Sequence, residues 1–269
     1  MNRTRIQRHP LRALWRLDSF EDYHGLLFDH ALGAYLERAK RSGHAPGSLL
    51  AVGACWREAQ ALVHTPFERI VLSGISEPDE AIQKACDADP RVRFEYANAE
   101  HLPFASGSFD LVFCKESLHH LARPVLGLYE MLRVCRRAVV FVEPWSCALV
   151  RLLDCAGLTT RYERGQRGNL RERDNFVYRW TRRQLESLLC SLYLESGYEL
   201  ELTVGWLSTR AQVRRPRWIR RLAALGGHLA SWTPGARGNF ATALIAPGRD
   251  LPPDPAPHPD PSAARSSAG

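Results

Sequence analysis

Residues 92–121 read VRFEYANAEHLPFASGSFDLVFCKESLHHL, and this stretch carries most of the information about the fold. Its two runs with large apolar side chains, Val92–Tyr96 and Phe109–Cys114, have the length and residue types of strands. The glycine-containing turn Ser106–Asp110 leads into the second run. The polar loop Lys115–His120 follows that run, and open α/β sheets bind ligands beyond the carboxyl ends of their strands. We therefore predict an α/β domain whose functional residues lie in the loops after its strands.

The same alternation of short apolar runs and amphipathic stretches extends in both directions along the chain. It predicts a doubly wound, mostly parallel seven-strand sheet of Rossmann-like type, with crossover helices on both faces. The last two strands are expected to form a reversed hairpin across a long excursion. The predicted strands are Ser48–Gly53, Arg69–Ser73, Val92–Tyr96, Phe109–Cys114, Ala138–Glu143, Tyr198–Val204 and Phe240–Ala246. The predicted helices are Phe20–Arg41, Arg57–Val63, Asp79–Ala85, Pro124–Cys135, Trp145–Ala156, Thr181–Glu195 and Val213–Leu229.

The length of 269 residues and the hydrophobic content of 45% suit one domain with a large core. Residues 1–43 are predicted to form an N-terminal arm followed by a helix, and residues 44–248 to form the α/β domain. An insertion is expected at about residues 157–180. Residues 249–269 are rich in proline and hold too few large apolar side chains to offset the entropy of ordering them, which predicts a disordered tail.

Several classes of protein are disfavoured by composition. No run of about 18 apolar residues occurs, so no membrane span is predicted, and the N-terminus lacks the apolar segment of a signal peptide. We therefore expect a cytoplasmic protein. The seven cysteines include no Cys-x-x-Cys pair, so neither disulfides nor a metal site is predicted.

The net charge of +7 is unevenly distributed. Five arginines lie within residues 1–16 and six lie between Arg210 and Arg221, and neither segment contains an acid. Such clusters suit an anionic substrate, an acidic partner, nucleic acid or a membrane surface, and a solvated face explains them as well. Basic clusters alone give weak support for nucleic-acid binding, so no nucleic-acid partner is predicted.

The quoted stretch closely resembles the third- and fourth-strand region of class I S-adenosylmethionine-dependent methyltransferases, in the type 11 group that acts on small molecules. The similarity continues in register through Pro124, Glu130–Val134 and Val139–Pro144. It implies the Rossmann-like methyltransferase fold, S-adenosylmethionine as cofactor, and methyl transfer to a small-molecule acceptor. The loop after the fourth strand reads Cys-Lys-Glu-Ser, without the Pro-Pro tetrapeptide of nucleic-acid amino-methyltransferases.

The resemblance also assigns cofactor-binding positions. These are Gly53, Ala54, Cys55, Gly74, Ile75, Asn98, Ala99, Glu100 and Lys115. In the family, a glycine-rich turn follows the first strand, an acid follows the second, and the residue at position 98 faces the adenine amino group. Asn98 stands where the family more often has aspartate, and the loop that begins at Lys115 opens over the position of the transferable methyl group.

The cofactor-binding pattern departs from the family at its acidic positions. Ala51 and Gly74 stand where the family has acids, and the acid at position 74 would hold both ribose hydroxyls. Charge-assisted hydrogen bonds are worth roughly 1.5–3 kcal/mol each, so their loss weakens cofactor binding unless Glu58 or Glu77 substitutes. The sequence therefore leaves two hypotheses: an active methyltransferase, or a catalytically inactive methyltransferase-like protein that acts as a binding or regulatory partner of another protein.

His119, His120 and Glu143 are the candidate catalytic residues. The two histidines lie in the loop after the fourth strand, and histidine is suited to act as a base near neutral pH. Glu143 ends the fifth strand, where its carboxylate could orient a substrate. The alternative interpretation is structural, with one histidine packed under the next helix, the other capping a turn, and Glu143 ending its strand.

The insertion combines arginine with aromatic residues. Its members are Arg161, Tyr162, Arg164, Arg167, Arg171, Arg173, Phe176 and Tyr178. Arginine binds carboxylates and phosphates bidentately, so one interpretation is a lid over an anionic small-molecule acceptor. The other is an ordinary helix start, because Thr181 followed by Arg-Arg-Gln resembles a capping box.

Overall fold

The computed structural model describes residues 2–8, 20–157, 159, 162–163, 175–206, 216–233, 235 and 237–248. Its strands are β1 (Arg3–Arg8), β2 (Ser48–Val52), β3 (Arg69–Gly74), β4 (Val92–Tyr96), β5 (Phe109–Lys115), β6 (Cys135–Pro144), β7 (Tyr162–Glu163), β8 (Asn175–Phe176), β9 (Tyr198–Gly205) and β10 (Phe240–Pro247). Its helices are α1 (Phe20–Arg41), α2 (Trp56–Leu62), α3 (Glu80–Ala88), α4 (Pro124–Val134), α5 (Ala148–Cys155), α6 (Arg182–Leu192) and α7 (Arg217–Ala230). A 3-10 turn spans Leu118–His120, and β7 pairs only with β8 among the described residues.

The main sheet has the strand order β1-β9-β10-β6-β5-β2-β3-β4. Strands β2 to β6 are mutually parallel, whereas β10 runs antiparallel to both β6 and β9. The predicted doubly wound sheet with a reversed last hairpin is therefore confirmed. The largest shift in a strand boundary is at β6, which begins at Cys135 rather than at Ala138.

Strand β1 was not predicted, and it adds an eighth strand at the sheet edge, parallel to β9. Its sequence, RTRIQR, contains one apolar residue, Ile6, so no pattern of a buried strand marks it. The register places Arg3 opposite Glu199 and Arg5 opposite Glu201, and opposite charges on neighbouring strands attract. A charged edge also disfavours pairing with a strand of another chain.

Apolar side chains cover both faces of the sheet. On one face, Leu50 and Val52 of β2 join a core that α4 covers with residues such as Met131. On the other face, Leu49 and Ala51 join a core covered by α1, α2 and α3. Consecutive residues of β2 thus point to opposite faces, and both are buried, as in a parallel strand between two layers of helices.

Asp110 joins the amino-terminal ends of the central strands. Its Oδ2 accepts hydrogen bonds from the main-chain N and Oγ of Ser48 at 2.9 and 3.2 Å, and its Oδ1 accepts from Arg136 and Arg137. Burial alone would raise the pKa of Asp110, but the bonds from Arg136, Ser48 and Arg137 outweigh burial and lower it. The carboxylate is therefore charged in the folded protein and fixes the start of β2 against β5 and β6.

Some predicted elements differ from the structure or lie beyond the described residues. Helix α5 begins at Ala148 rather than at Trp145, because the Trp145 amide bonds to the carbonyl of Asn239 at 2.8 Å and continues the strand connection. The predicted tail at 249–269 and most of the insertion at 157–180 lie outside the described residues. Within the described part, no helix has the length and hydropathy needed to cross a membrane.

Candidate functional site

The carboxyl ends of β2 to β6 lie along one edge of the sheet because these strands are parallel. The loops that follow them contain the residues assigned to cofactor binding and catalysis. The candidate residues therefore lie along one edge of the sheet, the edge at which open α/β sheets bind ligands.

The turn after β2 depends on Gly53. Its φ is +64°, and an added Cβ would lie 2.7 Å from the Cβ of Ser117, so only glycine fits without displacing that loop. The Ser117 hydroxyl donates to the Gly53 carbonyl at 3.0 Å, and the Ala54 amide donates to the Ser73 carbonyl at 3.0 Å. The turn is therefore fixed both to the loop after β5 and to β3.

Helix α2 starts directly after this turn with a carboxylate cap. Glu58 accepts from the Cys55 main-chain N at 3.0 Å, and the Cys55 thiol donates to the same oxygen at 2.7 Å. Desolvation and the neighbouring Glu58 carboxylate raise the pKa of the Cys55 thiol to about 12. Cys55 is therefore a neutral thiol at physiological pH and not a nucleophile.

A buried ion pair lies between this turn and the end of β5. The Lys115 Nζ is 3.4 Å from Glu58 Oε1 and 3.1 Å from Glu116 Oε2, and the Lys115 and Glu58 side chains are each only 5% exposed. Burial would lower the pKa of Lys115, but Glu116 and Glu58 outweigh burial and raise it. Lys115 therefore carries its charge, and Glu58 is already engaged by two partners.

A cleft of about 310 Å³ opens beside this ion pair. It lies between α1, which contributes Phe28 and Asp29, and α2, which contributes Trp56 and Arg57, with Lys115 at its wall. The cleft combines an aromatic surface with charges of both signs. Such a surface suits a zwitterionic small molecule.

The loop after β3 presents an apolar surface without an acid at its first position. Ile75 is 72% exposed, and a Cβ added to Gly74 would lie 3.5 Å from Phe94 Cζ, an ordinary contact distance. Glu77, the alternative acid, hydrogen-bonds to the hydroxyl of Tyr96, and this bond raises the pKa of Tyr96. Glu77 therefore has a protein partner of its own.

The loop after β4 holds the three residues assigned to the adenine end. Asn98 is exposed, and its Oδ1 accepts from the Glu100 amide at 2.9 Å. Ala99 is buried. Glu100 binds the main-chain N and the guanidinium of Arg123, so its carboxylate fixes the start of α4.

The structure brings His119, His120 and Glu143 together. Glu143 is fully buried and accepts from the main-chain amides of Ser117, Leu118 and His119 at 2.9, 2.8 and 3.3 Å. Its Oε2 also lies 2.6 Å from His119 Nδ1. His119 is buried, whereas His120 is partly exposed, and their ring centroids are 4.2 Å apart. Glu143 therefore shapes the loop, and His120 is the member of this group that solvent can reach.

The described part of the insertion passes over this group. Strand β8 lies beside the Leu118–His120 turn. The Trp180 amide donates to the Pro144 carbonyl at 3.0 Å, and the Ser146 amide donates to the Trp180 carbonyl at 2.8 Å. A second cleft of about 420 Å³ lies here, lined among others by Tyr178, Trp180 and Arg183. The arginines at 161, 164, 167, 171 and 173 lie outside the described residues.

Two features of the site were not expected from the sequence. Ser117 links the loops after β2 and β5, and Glu116 adopts a φ of +51°, which is uncommon for a residue other than glycine. The positive φ turns the chain sharply after β5, where the Glu116 amide bonds to the Val142 carbonyl at 2.8 Å. A single sequence carries no signal for either feature, because both depend on contacts between distant strands.

Comparison with known proteins finds a family match that covers the residues of this site. Residues 50–142, which contain the turn after β2, the loops after β3 to β5 and most of β6, match the family described as "Methyltransferase domain". Over 79 residues the chain is 37% identical to 27-O-demethylrifamycin SV methyltransferase of Amycolatopsis mediterranei. That alignment covers 27% of this chain and 29% of that enzyme, so it spans less than a third of the relative's length.

Solved structures share the fold over most of the chain. The YcgJ protein of Bacillus subtilis has a TM-score of 0.50 and 16% identity, and the match covers 82% of this chain and 99% of that chain. A Galdieria sulphuraria protein provisionally named as a sarcosine dimethylglycine methyltransferase has a TM-score of 0.50 and 12% identity, covering 84% of this chain and 87% of that chain. At these identities the similarity is one of fold.

Proposed function

We infer that this chain, which has the class I methyltransferase fold and whose residues 50–142 belong to the methyltransferase-domain family, binds S-adenosylmethionine at the carboxyl ends of β2 to β5. We propose that it transfers the methyl group to a small acceptor, and that an anionic acceptor fits best. One observation supports this proposal above the others: the residues that match the family include Gly53, Ile75 and Asn98, which follow three adjacent parallel strands at one edge of the sheet.

The residues present fit two of the three parts of the cofactor. At the adenine end, Ile75 offers an apolar surface that is 72% exposed and that a purine ring would cover, next to the exposed amide of Asn98. At the amino-acid end, the charges of Arg57 and Asp29 and the aromatic face of Trp56 border the 310 Å³ cleft. A group that carries both an ammonium and a carboxylate is complementary to this surface.

The ribose is the part that lacks a counterpart. Gly74 has no side chain, Glu58 is held by Cys55 and Lys115, and Glu77 is held by Tyr96. Among the residues that the structure describes, the usual bidentate contact to the ribose hydroxyls is therefore missing, and weak cofactor affinity is expected.

S-adenosylmethionine, when bound, would supply a methyl group activated by its sulfonium: an acceptor's lone pair would bond to the methyl carbon as the carbon–sulfur bond breaks, and S-adenosylhomocysteine would leave. The chain's own contribution is to orient the acceptor and to accept its proton. His120 is the proposed base, because it is the partly exposed member of the histidine pair. Glu143 and His119 are positioning residues that hold the Leu118–His120 turn.

The proposed acceptor site is the second cleft, which is lined by the segment that leads to α6, by α6 itself and by Val125 of α4. Tyr178 and Trp180 supply aromatic walls, and Arg183 supplies a cation at its rim. A guanidinium at the rim supports an acceptor that carries a carboxylate or phosphate.

A regulatory or binding role is the competing proposal, and one observation favours it. The loops proposed to face the cofactor differ from the family pattern, with a buried Lys115–Glu58 pair and no acid at Gly74, whereas the apolar core is intact. In that case the chain would act by contacting a partner protein and would bind no cofactor.

Isothermal titration calorimetry with S-adenosylmethionine and with S-adenosylhomocysteine separates the two proposals. Methyl transfer requires a measurable Kd for both ligands, with adenosine alone binding more weakly because it lacks the amino-acid end. No heat from either full ligand at millimolar concentration would overturn the enzyme proposal and leave the regulatory one.

A further inference from the structure

Helix α7 carries an exposed apolar stripe. Trp218, Leu222, Leu225, Leu229 and, in the turn after the helix, Trp232 recur at alternating spacings of four and three residues. Trp218, Leu222, Leu229 and Trp232 are 64%, 57%, 59% and 63% exposed. Helix α7 and the turn after it thus contain four of the eleven exposed large apolar side chains in the described part of the chain. We call these five residues the α7 stripe.

The opposite face of the same helix contacts the protein. Ala224 and Ser231 are buried, and a Cβ on Gly227 would lie 2.6 Å from the Cβ of Trp206. At about 100° per residue, these positions lie on the far side of the helix from Leu222 and Leu229. A surface helix normally turns its apolar stripe towards the core. Here small residues face the core, and the apolar stripe faces outward.

The surroundings of the α7 stripe are basic. From Leu202 to Arg249 the sequence contains no aspartate or glutamate and eight arginines. On the helix itself, Arg217 and Arg221 are exposed and border the stripe.

The arginine-rich N-terminal strand adjoins the same surface. The Arg8 guanidinium lies 4.5 Å from the ring centroid of Trp232, and its Nε donates to the Ser231 carbonyl at 3.0 Å. Arg3 and Arg5 are exposed on the same strand. Arginines of the two acid-free clusters thus border the α7 stripe at both of its ends, with Arg217 in its first turn and Arg8 at Trp232.

We propose that the α7 stripe and the arginines beside it form a docking surface for an anionic lipid membrane. The helix would lie in the plane of the interface, with its leucines in the acyl boundary and its two tryptophans at the level of the headgroups. The arginines of α7 and β1 would meet the negative headgroups. This proposal is independent of the methyltransferase proposal, because none of its residues borders either cleft.

Charge and shape favour a membrane over other partners. Nucleic acid would use the arginines but would leave three leucines in water, since bases stack on aromatic rings rather than on an aliphatic row. A second copy of the chain could cover the α7 stripe, but the pairing of two such surfaces would bring like-charged arginines together. An anionic bilayer satisfies the apolar row and the positive charge at once.

Vesicle co-sedimentation of the full chain tests the proposal. We expect binding to phosphatidylcholine–phosphatidylglycerol vesicles, little binding to phosphatidylcholine vesicles, and weakening as salt is raised. Leu222→Glu should lower the partition coefficient about tenfold or more, because it removes an inserted side chain and adds a repelled charge. Leu194→Glu is the matched control, since Leu194 is 81% exposed but lies outside the stripe, and it should bind like the parent chain.

Circular dichroism of both variants establishes that they fold. No binding to the anionic vesicles, or an equal loss with both variants, would overturn the proposal. It would also be overturned if the parent chain bound duplex DNA but not vesicles in a gel-shift assay. A dimer in sedimentation velocity that Leu222→Glu dissociates, without vesicle binding, would show that a second copy covers the stripe instead.

Discussion

Replacing Gly74 with aspartate restores the acid whose absence most weakens the proposed cofactor site. The backbone at Gly74 is not in the left-handed region, so a side chain introduces no strain there. Its Cβ would lie 3.5 Å from Phe94 Cζ, which is ordinary van der Waals contact. The carboxylate would extend from the end of β3 towards the position of the ribose, beside the exposed Ile75.

The expected gain follows from two hydrogen bonds to the ribose hydroxyls. Each charge-assisted bond contributes roughly 1.5–3 kcal/mol, and ordering the new side chain costs about 0.5–1 kcal/mol. A net gain of about 3 kcal/mol corresponds to a Kd for S-adenosylhomocysteine that is roughly a hundredfold lower.

Isothermal titration of the Gly74→Asp variant measures this change directly. Gly226→Asp is the control, because Gly226 lies in α7 with open space around its Cβ position, so that the substitution adds the same charge away from both clefts. The control should leave the Kd unchanged. If Gly74→Asp also leaves the Kd unchanged while the parent chain binds, the placement of the ribose beside β3 is wrong.

Three further predictions concern the residues that hold the site and the sheet. Glu143→Gln should lower the free energy of unfolding in urea by about 3 kcal/mol, because an amide cannot accept from all four donors around it. An unchanged midpoint of urea unfolding would contradict the role of Glu143 in holding the Leu118–His120 turn. In the same urea unfolding measurement, Lys115→Met should lower the free energy of unfolding by about 3–5 kcal/mol, because it leaves Glu58 buried without its cation. Lys84→Met, which breaks an exposed ion pair, should lower it by about 0.5 kcal/mol or less. The pKa of Asp110 is lower in the folded protein than in the unfolded chain. Asp110 therefore stabilises the fold at pH values above its pKa in the unfolded chain, and this stabilisation should be lost as the pH falls through its pKa in the folded protein. Thermal melts at falling pH should therefore decline less steeply for Asp110→Asn than for the parent chain, and equal slopes would refute this linkage.

The fold was readable from the sequence where burial imposes a pattern. Strands β2, β3, β5 and β6 contain apolar runs because they are covered on both faces, whereas the edge strand β4 alternates apolar and charged residues. Strand β1 was missed because main-chain pairing with β9 holds it, and pairing leaves no periodic signal in RTRIQR. The outward orientation of α7 was also unreadable, since an amphipathic sequence has the same period whichever way its apolar stripe faces.

The sequence predicted which loops hold the candidate site residues but not the contacts among those residues. The rule that loops after parallel strands bind ligands placed Gly53, Gly74 and Asn98 at one edge of the sheet. The role of Glu143 as an anchor for three amides was not predictable, because the partners lie more than 20 residues away in sequence. The Lys115–Glu58 pair likewise joins two loops that only the folded sheet brings together.

Hydrogen–deuterium exchange with and without S-adenosylhomocysteine tests the central claim most directly, because it reports both binding and its place in the chain. With the ligand at millimolar concentration, exchange should slow at residues 53–56, 74–77 and 97–101, the loops after β2, β3 and β4. Exchange that stays the same in all three loops, or that slows only elsewhere in the chain, would contradict the proposed cofactor site.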